Sequence, residues 1–184
     1  KEIVKFGKQE IVLTGVNIGD FGKGNDESFI DLIKELENIN EINRIRISSI
    51  EPNLLTDEII ELCNLSKKFM PHFHIPLQSG SDKILKAMRR RYDKKVYQNR
   101  IKKIKDINQD TCIGVDVIVG FPGESEEDFL ETYNFLIELD ITYLHVFSYS
   151  ERLDTYAIKL DEKVSKSDKA RRSKMLHILS EKKK

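Results

Sequence analysis

The chain has 184 residues, 39% hydrophobic and 34% charged, with 31 Lys+Arg balancing 31 Asp+Glu. That length and apolar content suit one domain around one core, and they exclude the disordered class, which pairs low hydrophobicity with high net charge. Two cysteines exclude a disulfide framework and point to a reducing, cytoplasmic setting, and no apolar run approaches the ~20 residues of a membrane span, so no membrane partner is expected.

The zero net charge is a sum of opposing blocks. Residues 83–105 carry eleven basic side chains and one acid, +10; residues 159–184 carry ten and four, +6. Residues 20–61 sum to −7 and residues 116–140 to −8. Such asymmetry is a statement about partners, which a global zero is not.

In chain order, Lys1 opens inside a helical pattern, which leads us to expect a piece of something longer. Ile11 to Thr14 is a short β-rich run closed by Gly15. Asp26-Glu27-Ser28 caps a helix with Phe29, Leu32, Ile33, Leu36 and Ile39 at a 3.6-residue period. Arg44 to Ile50 alternates with period two and stops at Pro52. Thr56 caps the next helix, with Ile59, Ile60 and Cys63 on one side, so Cys63 reads as a small core residue. His72 to Gln78 is the third strand. Ser81 caps a helix through Ile84, Leu85 and Met88, and a second piece runs through Tyr97, Ile101 and Ile104. Cys112 to Val119 is a fourth, β-branched strand closed by Gly120-Phe121-Pro122-Gly123. Ser125 and Asp128 form a capping-box pattern. Tyr143 to Tyr149 is the fifth strand, and a last helix carries Met175, Leu176, Ile178 and Leu179 ahead of a frayed Lys182–Lys184 tail. Strands about 30 residues apart, each separated by a helix, predict right-handed βαβ units and a parallel sheet.

Alternation sorts each strand into two faces. One is aliphatic (Val115, Val117 and Val119 on the fourth strand). The other collects Thr14, Arg46, Ser48, His74, Gln78, Asp116, His145 and Tyr149. In parallel α/β folds ligands sit at the carboxyl ends of strands, and small or polar residues cluster at all five ends, predicting a cleft there. His72-Phe73-His74 offers two imidazoles on one face, the pattern of a metal-dependent hydrolase using His72, His74 and Asp116; the plainer reading is of interior histidines bonded to neighbours, with no metal site. Gly120-Phe121-Pro122-Gly123 lies at a helix N-terminus suited to anions, but Glu124, Glu126, Glu127 and Asp128 crowd it and repel phosphate, so close approach to an uncharged ring such as adenine fits better. Met88-Arg89-Arg90-Arg91-Tyr92 could grip a nucleic-acid backbone, or the basic block could offset neighbouring acidic helices. Spacing alone marks no catalytic residue.

The strings RISSIEP (46–52), HFHIPLQSGSDKILKAMRRRY (72–92), VDVIVGFPGESEEDF (115–129) and HVFSYSERLDT (145–155) together resemble the radical S-adenosylmethionine core of the tRNA methylthiotransferases, SSIEP and MRRRY being most similar to the threonylcarbamoyl-adenosine branch. The resemblance spans the whole chain. It implies an α/β fold: a six-stranded, TIM-like partial (β/α) barrel whose strands two to six are the five here, with residues 1–184 a single truncated core domain. It implies an S-adenosylmethionine cofactor and a [4Fe–4S] cluster whose Cys-x-x-x-Cys-x-x-Cys loop, like the family's N-terminal methylthiotransferase and C-terminal RNA-binding domains, is not in this sequence. It implies tRNA as partner, methylthiolation of an adenosine derivative beside the anticodon as activity, and no activity for this piece alone. By position, Thr14, Gly15 and Asn17 replace the segment holding the methionine amino group. Gln78 and Ser79 would lie near the ribose or carboxylate, and Ile118, Gly120 and Phe121 would pack on adenine. Phe147, Tyr149 and Arg152 would close the site, Ser49, Glu51 and Asp116 are further cofactor-binding candidates, and Arg89, Arg90 and Arg91 would meet RNA. The family's Gly-Thr-x-Ala reads Asp154-Thr155-Tyr156-Ala157 here. Without a preceding strand, the Ile11–Thr14 edge would be open to dimer contacts.

Overall fold

The computed structural model describes residues 2–160 and 162–184. A short helix α1 (Glu2–Lys5) precedes β1 (Glu10–Leu13), α2 (Phe29–Glu37), β2 (Arg44–Ile47), α3 (Asp57–Leu65) and β3 (His72–His74). Then come α4 (Asp82–Ala87), α5 (Lys94–Ile107), β4 (Cys112–Val119), α6 (Glu126–Glu138), β5 (Tyr143–Ser148) and α7 (Lys166–Lys183). Every ladder is parallel: β1 with β2, and β3–β4–β5 as a second sheet. An Ile45–Phe69 bridge just before β3, a Ser49–His74 bridge and the Ile50 N–H donated to the His74 carbonyl (3.1 Å) join the two, so spatial order follows chain order in an open array, not a closed barrel.

Two strands are shorter than their alternation predicts. β2 leaves its ladder after Ile47, and β3 after His74. Pro76 has no N–H to give a ladder, and Gln78 turns left-handed (φ 69°) before rejoining β4 at Val117. The helix starts follow their caps: Ser28 with Asp31 and Ser125 with Asp128 close capping boxes, and Thr56 accepts from the Ile59 N–H. Ser81 does not cap by its side chain; its hydroxyl donates to Asp128 Oδ1 (2.9 Å), tying α4 to α6. The lysine tail is helical to Lys183, not frayed. The Lys183 ammonium donates to the Ile137 and Leu139 carbonyls (2.8 and 2.6 Å) at the end of α6, where helix carbonyls lack intrahelical partners.

The aliphatic face is the core. Ile113, Val115, Val117, Phe73, Ile75 and Ile45 are buried against Phe129, Leu136, Ile101, Ile104 and Leu176 of the helices. Cys63 lies in this core, and burial pushes its thiol up to about 12. The opposite face stays partly open: His74, Asp116 and Ile118 are half-buried, His145 and Phe147 exposed. Those side chains border the cleft.

Candidate functional site

The carboxyl ends of the strands enclose a hollow of about 220 Å³ lined by Asn17, Ser49, Glu51, Gln78, Arg90 and Asp116, among others. A second hollow, about 230 Å³, shares Asn17, Glu51 and Arg90 with it and reaches Asp20, Arg89 and Arg91. Larger hollows of about 480 and 370 Å³ lie elsewhere, one between α5 and the end of α6, one under the loop after Gly123. The strand-end cleft gathers two buried polar atoms that have no partner, Asn17 Oδ1 and Arg90 Nε. Such atoms are costly unless a ligand or water satisfies them. Arg90 also donates to Glu51 Oε1 (2.8 Å), and Asn17 Nδ2 donates to Asp20 Oδ2 (2.7 Å). The floor is braced by tyrosines the sequence did not single out for it. Tyr92 donates to the Pro76 and Leu77 carbonyls (3.0 and 3.2 Å) and Tyr97 to Ile75 (2.8 Å), holding the strand that carries Gln78. Desolvation raises both phenols well above their usual value, so they stay protonated donors.

Several expected cofactor residues have other roles. Ser79 is buried and faces α6, its hydroxyl 3.2 Å from Thr132 Oγ1, so its side chain does not reach the cleft. At Gly120 (φ 75°) the side-chain direction is occupied: a Cβ there would stand 2.4 Å from Lys169 Cγ, because the lysine stem of α7 fills that room. Phe121 is buried edge-to-face against Tyr149, ring centroids 5.3 Å apart. Tyr149 keeps a buried, unpartnered hydroxyl, while Thr14, Gly15, Phe147 and Arg152 are exposed and line neither strand-end hollow. The Gly120 and Phe121 N–H groups donate to Glu124 Oε2 (2.5 and 3.2 Å), so the loop's anion position is held by the chain's own carboxylate. Arg172 pairs with Glu124 Oε1 at 3.0 Å, both side chains 5% exposed. Burial pushes the Glu124 carboxyl up, against the pull of the Gly120 N–H and the Arg172 guanidinium. Asp154, where the resembled family has glycine, adopts the left-handed conformation that glycine favours (φ 64°), which Asp tolerates.

Ion pairs use up much of the basic block. Lys83 pairs with Asp128, Lys94 with Glu131, Arg100 with Asp57, Lys103 with Glu61 and Lys105 with Asp140. α5 thus offsets the acidic helices on either side. Arg90 belongs to the cleft, not the outer surface. Arg89 (φ 57°) and Arg91 remain exposed at the mouth, Arg89 with its guanidinium 3.9 Å from the Tyr156 ring centroid. His72 is not with His74 and Asp116: its Nε2 lies 2.9 Å from the Tyr143 hydroxyl, and desolvation lowers its pKa. This separates the three residues of the hydrolase reading.

The Radical SAM superfamily model matches residues 1–136. The threonylcarbamoyladenosine tRNA methylthiotransferase MtaB of Bacillus subtilis is 44% identical over 183 residues, covering 98% of this chain and 41% of that protein. Its Aquifex aeolicus namesake is 40% identical, covering 100% and 45%. A tRNA-2-methylthio-N(6)-dimethylallyladenosine synthase of Endomicrobium trichonymphae is 41% identical over 170 residues, covering 92% and 40%. The chain thus spans less than half the length of these relatives. Among solved structures, the Escherichia coli coproporphyrinogen III oxidase HemN superposes with a TM-score of 0.68 at 18% identity over 95% of this chain and 39% of that one. TsrM of Kitasatospora setae gives 0.64 at 14% identity over 80% and 29%. Both show the fold alone. Parallel β/α units in an open array, a polar cleft at the strand ends and a family match over most of the length agree: the chain belongs to the radical SAM superfamily.

Proposed function

We propose that this chain is the S-adenosylmethionine-binding core of a tRNA methylthiotransferase acting on an adenosine derivative beside the anticodon. The observation that carries the reading is 44% identity to a threonylcarbamoyladenosine tRNA methylthiotransferase, spread along 98% of the chain. The cleft fits a zwitterionic cofactor. Asn17 Oδ1 is an acceptor for an ammonium, Arg90 Nε a donor for a carboxylate, and Glu51 holds Arg90 in place. S-adenosylmethionine bound here, cleaved by one electron from an iron–sulfur cluster, would supply the hydrogen-abstracting radical; Gln78, Ser49 and Asp116 would give it polar walls. A [4Fe–4S] cluster requires several thiolates. Cys63 is buried in α3 and Cys112 begins β4, so these two residues do not compose its ligand set. Arg89 and Arg91 stand where a tRNA phosphate would pass. Among the described residues β1 pairs only with β2, and its outer edge is the surface for self-association. No described helix is long and apolar enough to cross a membrane, in keeping with a cytoplasmic enzyme.

Calorimetric titration of S-adenosylmethionine into the chain tests the cofactor half. Saturable one-to-one binding is expected, weakened roughly tenfold or more by Arg90→Ala, as for a lost charged hydrogen bond; absence of binding overturns it. tRNA affinity should fall steeply with salt and drop in Arg89→Ala/Arg91→Ala. Salt-independent or absent tRNA binding counts against the partner. Light scattering at rising concentration tests the β1 edge, where a strict monomer refutes self-association.

A further inference from the structure

We propose that His74, Asp116 and His145 form a binding site for one divalent first-row transition-metal ion of the zinc class, on the inner face of β3–β5. The three residues come from three adjacent strands. Asp116 and His145 are register partners, and His74 reaches across from β3. His74 Nε2 lies 2.6 Å and His145 Nδ1 3.2 Å from the same carboxylate oxygen, Asp116 Oδ1. The two imidazole rings are 5.2 Å apart at 88°, and one ligand atom from each residue falls within 4.8 Å of the others. This is the only such group of three His, Cys, Asp or Glu ligands among the described residues.

Two imidazoles and a carboxylate are a donor set for zinc and its first-row neighbours, not for calcium or magnesium. Zinc bonds of about 2.0–2.2 Å place tetrahedral ligand atoms about 3.4 Å apart. The His74–Asp116 contact must therefore open by under about 1 Å, and the His145 ring, with its side chain 49% exposed, is free to swing. The support beneath is rigid. Gly114 lets the Tyr143 ring lie flat on β4, since a Cβ there would meet that ring at 2.3 Å, and Tyr143 in turn packs 5.1 Å from the His145 ring. Asp116 also lines the 220 Å³ cleft, so a fourth ligand can enter from there. Three protein ligands with one open position is the arrangement of a metal site that meets a ligand, rather than a closed structural one.

The experiment titrates the metal-free chain with Zn²⁺ by calorimetry, and with Co²⁺ by visible absorption. One equivalent is expected, with d–d bands of four- or five-coordinate cobalt. His145→Ala and Asp116→Asn should weaken Zn²⁺ at least tenfold, whereas His72→Ala should leave it unchanged. His145 is exposed, so its variant keeps the fold, checked by circular dichroism. Three results overturn the site: no saturable binding, binding lost in His72→Ala but kept in His145→Ala, or a thiolate charge-transfer band placing cobalt on cysteine. All are read without cofactor or tRNA, so the site stands or falls separately from the proposed activity.

Discussion

The two flanks of the sheet are built differently. At β5, α7 packs across the edge: the Leu144 N–H donates to Ser180 Oγ (2.9 Å), whose hydroxyl returns a bond to the Leu144 carbonyl (3.3 Å). The same helix sends Arg172 into the Gly120 loop and lays Lys169 over Tyr149, its ammonium donating to the Tyr149 carbonyl. At β1 no described element covers the edge. Val12 is 53% exposed, and its neighbours form exposed pairs, Glu10 with Arg46 at 2.8 Å and with Arg44 at 3.4 Å. One flank is fixed by buried polar chemistry, the other by surface charge. The cleft is lined by the loop after β1, the ends of β2 and β3, and Asp116 of β4, so it is shaped on the flank held mainly by backbone pairing.

The largest test of that contrast is Arg172→Met. Removing one member of a buried pair leaves an uncompensated carboxylate, which costs about 3–5 kcal/mol. Urea denaturation at pH 7 should show a loss of that size. Burial already raises the Glu124 pKa, and without Arg172 it rises further. Glu124 then takes a proton on mild acidification, so the loss should shrink as pH falls toward 5. A loss independent of pH would mean that Arg172 contributes packing rather than charge.

Next comes Asp128, at the joint of α4 and α6. Burial raises its pKa, but Lys83, the Ser125 N–H and the Ser81 hydroxyl outweigh that and hold the carboxyl at about 2. A depressed carboxyl stabilises the fold above its unfolded pKa, and the gain disappears as pH falls through 3.8 toward 2. The amount is about 2 kcal/mol by linkage. Asp128→Asn should lose it at neutral pH and flatten the acid limb of the stability curve, measured by thermal melts from pH 6 to pH 2. Smaller still is Ser180→Ala. It exposes one edge N–H and one carbonyl of β5, and a loss of about 1 kcal/mol is expected in the urea midpoint.

What the sequence made legible was local. Caps at Ser28, Thr56 and Ser125, the span of β4, and the polar face holding His74, Asp116 and His145 all follow from near-neighbour rules. What stayed hidden depended on chain returning from far away. Arg172 meets Glu124 across 48 positions, and Lys169 fills the space beside Gly120. Alternation sets Ser79 on the face opposite Gln78, and Thr132 of α6 claims its hydroxyl; the resemblance, not the strand pattern, had set it beside the cofactor. The positive φ of Gln78 had no glycine to announce it. Alternation gave His145 its face but not its distance to Asp116, because a period of two says nothing of which residues on adjacent strands meet.

The smallest effect belongs to the open flank and sharpens the contrast most. Glu10→Gln removes the carboxylate from the Arg44 and Arg46 pairs. Bonding to Arg46 lowers the Glu10 pKa, yet the group is solvated, and exposed pairs of this kind contribute little once water screens them. The urea midpoint at physiological salt should not move beyond error, although the pair is as short as the 3.0 Å Arg172–Glu124 bond that ranks first. Equal lengths with unequal costs would show that burial, not distance, decides which flank is rigid. A loss in Glu10→Gln comparable to that in Arg172→Met would mean that β1 depends on its surface charges after all.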